Sequence, residues 1–262
     1  MSNVKRKSSR SKRDTWIVLT FAVVVLLIIA ALVVFFVVTK NSTDEGQTAP
    51  EETVQETAVA EMPFDVPGFT MLENAPCGKL NDKFSVLCVG KYTGAYVEDG
   101  MDEPVTDVLA IVVKNISDGL VEYGEITLDC SGTTVTFELT GLPASSCVLV
   151  MAKDRAAYQE GMELGDLSCV QYAEPNSIVM DFGNDFTVYP SDGVINVENI
   201  SDKDFQTDVS LFYKNFEYGL FIGGITYRVR FSDGFKAGDV LQSMQKHYSE
   251  KTSAIMYMSY EQ

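Results

Sequence analysis

The distribution of apolar residues divides the chain into three regimes. From Trp16 to Val38 every residue but Thr20 is apolar and none is charged. A helix of this length spans about 34 Å, enough for a hydrocarbon core of about 30 Å. Residues 39–62 carry no aromatic side chain and are rich in Thr, Glu and Ala. Such a stretch buries too little apolar area to offset its ordering entropy and predicts a flexible stalk. From Pro63 onward the pattern becomes one of short strands. Ile126, Leu128 and Cys130 alternate with Thr127 and Asp129, and Val135 and Phe137 alternate with Thr136 and Glu138. That is the period of half-buried strands, and Ser131-Gly132-Thr133 supplies a hairpin turn between them. Short helical turns are expected at Asp154–Gln159 and Asp239–Tyr248.

The strand-rich part repeats itself. Val113-Lys114-Asn115-Ile116-Ser117-Asp118 recurs as Val197-Glu198-Asn199-Ile200-Ser201-Asp202. The run Ile126–Cys130 matches Val209–Tyr213, and Gly141-Leu142-Pro143-Ala144 matches Gly234-Phe235-Lys236-Ala237. Upstream, Phe84–Cys88 corresponds to Phe186–Tyr189, and each copy closes on a strand, Ser168–Tyr172 and Ser253–Tyr257. The shared order of these matches predicts two tandem copies of one mainly β domain, residues 63–175 and 176–262. Several short strands at regular spacing indicate a sandwich or small barrel.

Composition changes the picture mainly through charge. The 262 residues hold 20 Lys and Arg against 37 Asp and Glu, a net charge of −17. This balance excludes a nucleic-acid binder, which needs clustered cations to neutralise phosphate. Residues 1–14 nevertheless hold six basic residues against Asp14 alone, leaving −22 for the remainder. The basic flank places the N-terminus in the cytoplasm and the acidic bulk outside. The run Trp16–Val38 is too long for the apolar region of a secretory signal, and no small-residue cleavage site follows it. The expectation is a single-pass plasma-membrane protein: a basic tail (1–14), a lipid-contacting helix (15–38, apolar over 16–38), a stalk (39–62) and two extracytoplasmic β domains.

The turn Val-x-Asn-x-Ser-Asp, the apolar-x-Leu-x-Tyr strand that follows it and the Leu-Pro-Ala segment before a late strand carry a resemblance. The unit resembles FxLYD-type and related immunoglobulin-like domains of bacterial envelope proteins. The second copy keeps Leu211-Phe212-Tyr213-Lys214, whereas the first has Leu128-Asp129-Cys130-Ser131 and lacks the tyrosine. The resemblance implies an immunoglobulin-like sandwich on the outer side of a Gram-positive-type membrane. It implies no catalytic residues.

Candidate chemistry is sparse. All five cysteines (Cys77, Cys88, Cys130, Cys147 and Cys169) lie in the first copy. They read as small buried hydrophobes. A disulfide remains the alternative, Cys77–Cys88 or Cys130–Cys147. The one histidine, His247, sits in a polar stretch and reads as a surface residue. No phosphate loop, nucleophile elbow or zinc-protease motif occurs. Asp99, Asp102 and Glu103 concentrate carboxylates in one loop and are the weak candidates for extracellular Ca²⁺, in a spacing that fits no EF-hand. Asn41, Asn115 and Asn199 head formal glycosylation sequons, but Asn and Ser in the pattern shared by Asn115 and Asn199 also close turns on their own backbone. No cofactor is implied.

One departure between the copies stands out. Between Tyr213 and Tyr227 the second copy has about ten extra residues, Asn215 to Gly224. Phe216, Tyr218, Leu220, Phe221 and Ile222 in this insert form the candidate partner surface. The alternative is that the insert folds back to complete a core or the contact between copies. The function expected is a noncatalytic interaction or structural module of the envelope, binding an envelope protein or a second copy of itself. The alternatives are a ligand- or ion-sensing subunit accompanying a transporter or secretion machine, and an envelope hydrolase built on a carboxylate pair such as Asp102 and Glu103.

Overall fold

The computed structural model describes residues 64–176, 178–191, 193–232 and 234–261. The apolar span and the stalk predicted from the sequence lie outside these residues. Among the described residues no helix is long and apolar enough to cross a membrane.

The described chain is mainly β. The short strands β1 (Phe69–Met71) and β2 (Gly78–Lys79) lie against β3 (Phe84–Tyr96). After β3 come β4 (Glu103–Asn115), β5 (Val121–Cys130), β6 (Thr133–Leu142), β7 (Cys147–Met151) and β8 (Leu164–Ala173). The later strands are β9 (Phe186–Ser191), β10 (Val194–Asn199), β11 (Val209–Glu217), β12 (Leu220–Ile222), β13 (Tyr227–Phe231), β14 (Val240–Met244) and β15 (Ser253–Ser259). The β5–β6 hairpin turns through Ser131 and Gly132, both at positive φ. Two consecutive positive φ values make the two-residue turn whose twist matches antiparallel strands. Asp154–Gln159 is irregular rather than helical, with Ala157 in an isolated bridge to Val108, and Asp239–Tyr248 contains β14.

Strands β3–β8 and β9–β15 pair in the same order. In the first set β4 lies between β3 and β7, and β5 between β6 and β8. In the second, β10 lies between β9 and β14, and β11 pairs with both β13 and β15. Strand β12, contributed by the insert, has no counterpart in the first set. It pairs antiparallel with β11 and parallel with β7, with Phe221 opposite Val148 and Ile222 opposite Leu149. A sheet therefore runs unbroken from β1 through β3, β4, β7 and β12 to β11 and β13.

The run Val108–Val113 is buried on both faces, which its unbroken apolar sequence requires. It centres one core, to which Leu220, Phe221, Met256 and Tyr257 of the later strands contribute. A second core gathers Phe186, Phe205, Phe235 and Tyr260, with ring centroids 4.8 Å apart for Phe186–Phe205 and 5.0 Å for Phe186–Tyr260.

Asn115 and Asn199 close these two cores in one manner. Both are fully buried. The Asn115 amide donates to the carbonyls of Gly119 (2.8 Å) and Leu142 (2.9 Å), while its oxygen accepts from the Ser117 backbone N–H (3.0 Å) and hydroxyl (2.7 Å). Asn199 donates to Lys203 (2.8 Å) and Phe235 (3.3 Å) and accepts from the Ser201 N–H (3.1 Å) and hydroxyl (2.7 Å). The backbone N–H of Ile116 donates to Lys83, and that of Ile200 donates to Asp185, each just before the first strand of its set. These two sequon asparagines are thus turn clamps, with no free amide to carry a glycan.

Two sequence expectations are corrected. Cys130 and Cys147 are free thiols. Cys130 ends β5, whereas Cys147 faces Lys114 beside Asn115, whose amide reaches Leu142 opposite Val121 at the start of β5. A strand of that length separates them by about 30 Å, against the roughly 4–7 Å between Cα atoms that a disulfide needs. The closing strands also differ in register: Ser168 lies opposite Thr127, but Ser259 rather than Ser253 lies opposite Ser210. Cys77 and Cys88 do lie near one another, and burial pushes the Cys88 thiol up to about 11.

Replacing Asn115 or Asn199 with Ala strands several buried carbonyl and N–H groups at once. Each variant is expected to lose about 2–3 kcal/mol, read as a lower urea midpoint at an unchanged slope. Ser117→Ala removes one donor and is expected to lose only about 1 kcal/mol.

Candidate functional site

A concentration of charged groups forms where the insert meets the first set of strands. After β3 the chain turns through Glu98, Asp99 and Gly100, while β7 ends at Met151 and leads into Lys153, Asp154 and Arg155. Together with Tyr96, Glu138 and Ile225 these residues line a cleft of about 440 Å³.

At its base lies a buried polar knot. Lys214, on β11, is fully buried. Its ammonium donates to the carbonyls of Gly224 (2.7 Å), Ile225 (2.7 Å) and Thr140 (3.1 Å). The Gly224 N–H in turn donates to Glu98 Oε2 (2.7 Å), so one residue, Gly224, links the cation to the carboxylate. The other Glu98 oxygen accepts from the Met151 N–H (2.8 Å). Thr140 adds its N–H to the Gly224 carbonyl (2.7 Å), and its hydroxyl lies 2.9 Å from that of Thr226. Burial pushes the Lys214 ammonium down and the Glu98 carboxyl up, and the charge of each opposes the shift of the other. Gly224 is required by this packing: an added Cβ would stand 1.8 Å from the Glu138 carbonyl oxygen.

The acidic loop is spent on pairing. Asp99 and Glu103 both bind the Arg155 guanidinium, at 2.5 and 2.9 Å, and Arg155 also stacks over the Tyr96 ring at 4.6 Å. The Met101 N–H and Arg155 hold the Asp99 carboxyl below its ordinary range. Asp102 reaches across to the second set, 3.1 Å from His247 Nδ1 and 3.8 Å from Lys246 Nζ. His247 is mostly covered and stacks on Tyr227 (centroids 4.9 Å apart), which stacks on Tyr213 (5.1 Å). Asp99 and Glu103 are therefore spent on Arg155 while Asp102 faces His247 and Lys246, and among the described residues no group of three or more acidic, His or Cys side chains could hold a metal ion. The calcium expectation is corrected on that geometry. His247 is corrected from a surface residue to a contact between the two sets.

The insert is divided. Tyr218 and Gly219, at positive φ, turn the β11–β12 hairpin. Leu220 and Phe221 are buried in the first core, Phe221 edge-on to Phe216 at 5.1 Å, and Ile222 is half-buried. Only Phe216 and Tyr218 stand in the open, at 43 % and 50 % exposure. Of the five candidate partner residues, Leu220 and Phe221 are thus withdrawn by the fold. Sequence reasoning placed Glu98 only in the acidic loop and missed Lys214. The one available signal was a lysine at the end of an apolar strand, and nothing local distinguishes it from a solvated one.

No protein-family model matches the chain, and no curated protein matches it.

Cutting one member of the knot leaves the other buried without compensation. Lys214→Met and Glu98→Gln are each expected to cost about 3–5 kcal/mol. The double variant is expected to cost less than their sum, since neither charge is then left alone. Urea unfolding of the four proteins measures that coupling.

Proposed function

We propose that the protein is a noncatalytic interaction module of the cell envelope. In this reading Trp16–Val38 anchors it in the plasma membrane with residues 1–14 inside, residues 39–62 form the stalk, and residues 63–175 and 176–262 are two immunoglobulin-like β-sandwiches outside. The charge asymmetry across the apolar run supports the orientation. The common pairing order of β3–β8 and β9–β15 supports the tandem domains.

One observation carries the choice of binding over chemistry. In the cleft, both oxygens of Glu98 and of Asp99 already accept hydrogen bonds from backbone N–H groups or from Arg155, and Glu138 pairs with Lys153, which leaves Asp154 as the lining carboxylate outside these bonds. A general acid or base needs an oxygen free to meet substrate. Large apolar side chains, by contrast, stand exposed on the insert and on strand faces: Phe216, Tyr218, Val170, Tyr172 and Met244. Exposed apolar surface of this kind marks contact sites.

Two measurements test the proposal. Phe216→Ala with Tyr218→Ala is expected to weaken partner capture while the melting temperature barely moves. Leu220→Ala or Phe221→Ala is expected to cost about 2–5 kcal/mol of stability. In intact cells of the native host, crosslinking of the tagged full-length chain with mass-spectrometric mapping is expected to recover a dominant envelope partner. No crosslinked protein, with the outer part shown accessible to protease, would overturn the module reading.

A further inference from the structure

The two sets of strands share a pairing order but differ in what covers their edges. In the first, the outer edge of β7 is occupied by β12, running parallel. In the second, the corresponding strand is β14, and among the described residues it pairs only with β10. We infer that the free edge of β14, Val240–Met244, is a docking site for an extended apolar segment of a partner polypeptide, added parallel to β14 as β12 is added to β7. The inference rests on the proposed interaction module and names its surface.

The register makes the equivalence residue by residue. Counting back from Asn115 and Asn199, Val113 corresponds to Val197. Their partners Val148 and Leu241 then correspond, so Leu149 matches Gln242 and Met151 matches Met244. The Gly223 N–H donates to the Leu149 carbonyl at 2.8 Å, so the peptide groups of Leu149 face β12 and away from β4. In an antiparallel strand the N–H and C=O of one residue point to the same side, and alternate residues share that side. Gln242, with Val240 and Met244 on either side of it, therefore turns its backbone donor and acceptor to the open edge. An open row of this kind is a template for strand addition.

The side chains fit the same occupant. Val240 and Met244, which flank Gln242 on this edge strand, are 43 % and 80 % exposed. At the equivalent edge of the first set the strand taken up reads Leu220-Phe221-Ile222, whose first two side chains are buried there. Among the described residues, a second copy of this chain has no unpaired strand equivalent to β12 to give. Its own Leu220–Ile222 is held between β7 and β11, and its β5–β6 connection is a two-residue turn without an insert. The net charge of −22 beyond residue 14 also opposes self-association.

The probe is a synthetic peptide with the sequence of residues 218–224, carrying a benzoylphenylalanine photo-crosslinker at the position of Phe221. It is irradiated with the full-length chain in detergent and the adducts are mapped by mass spectrometry. Adducts on residues 240–244 are expected, reduced at least tenfold by Gln242→Pro, which removes an outward N–H and leaves the β10 ladder intact. Should that variant fail to fold, Val240→Lys with Met244→Lys changes only exposed side chains and is expected to give the same loss. Adducts confined to residues 147–151, or none at all, overturn the inference. So does a dimer in light scattering that Gln242→Pro dissolves, which assigns the edge to a second copy. The two readings fail separately: a cellular partner crosslinked away from β14 leaves the module and removes this surface, whereas peptide capture at β14 without a cellular partner does the reverse.

Discussion

The arrangement of the later strands on the earlier ones depends on one buried cation. Lys214 has no solvent to return to, and its three carbonyl partners come from the insert and from β6. Those contacts fix Gly224 and Ile225 against Thr140, and Gly224 then presents its N–H to Glu98. An ammonium in a low-dielectric site is tolerable only while such partners surround it. The insert is thereby held in one place, and β12 is held as the strand that joins the two sets into a continuous sheet.

Two other devices act across the same line. The Thr140–Thr226 pair ties β6 to the end of the insert. Asp102 ties the acidic loop to His247 and Lys246. Exposed ion pairs contribute little individually, so the buried knot and the apolar burial of Leu220, Phe221 and Tyr257 dominate the contact. The acidic loop, which concentrates negative charge in the sequence, serves in the fold as a clamp whose carboxylates already have partners.

In the cleft above the knot, perturbed ionisation has local structural causes. Glu98 and Asp99 are neighbours with shifts of opposite sign, an arrangement that separates acid from base in many active sites. Here the causes are burial beside Lys214 for one and the Met101 N–H with Arg155 for the other. Both carboxylates are consumed by the protein's own backbone and side chains. Large apolar side chains also stand exposed on the insert and on strand faces, and the proposed recognition would use backbone pairing and aromatic contact there.

The sequence by itself determined the elements that are locally encoded. Period-two alternation marked β5 and β6, Ser131-Gly132 marked their turn, and the recurring Asn-x-Ser marked two clamps, because an asparagine side chain meets a serine two residues on whatever lies beyond. The correspondence of Phe84 with Phe186, and of Leu142 with Phe235, was legible from their order around those clamps, although the spacings differ between the copies. Tertiary structure alone decided the rest. The match of the closing strands missed their true register, since apolar alternation fits any even shift. The pairing of β12 with β7, the assembly of Glu98 with Lys214 from residues more than a hundred positions apart, and the separation of Cys130 from Cys147 are products of sheet topology. No local pattern specifies them, because the partner that satisfies each group is chosen by the fold and not by its neighbours in the chain.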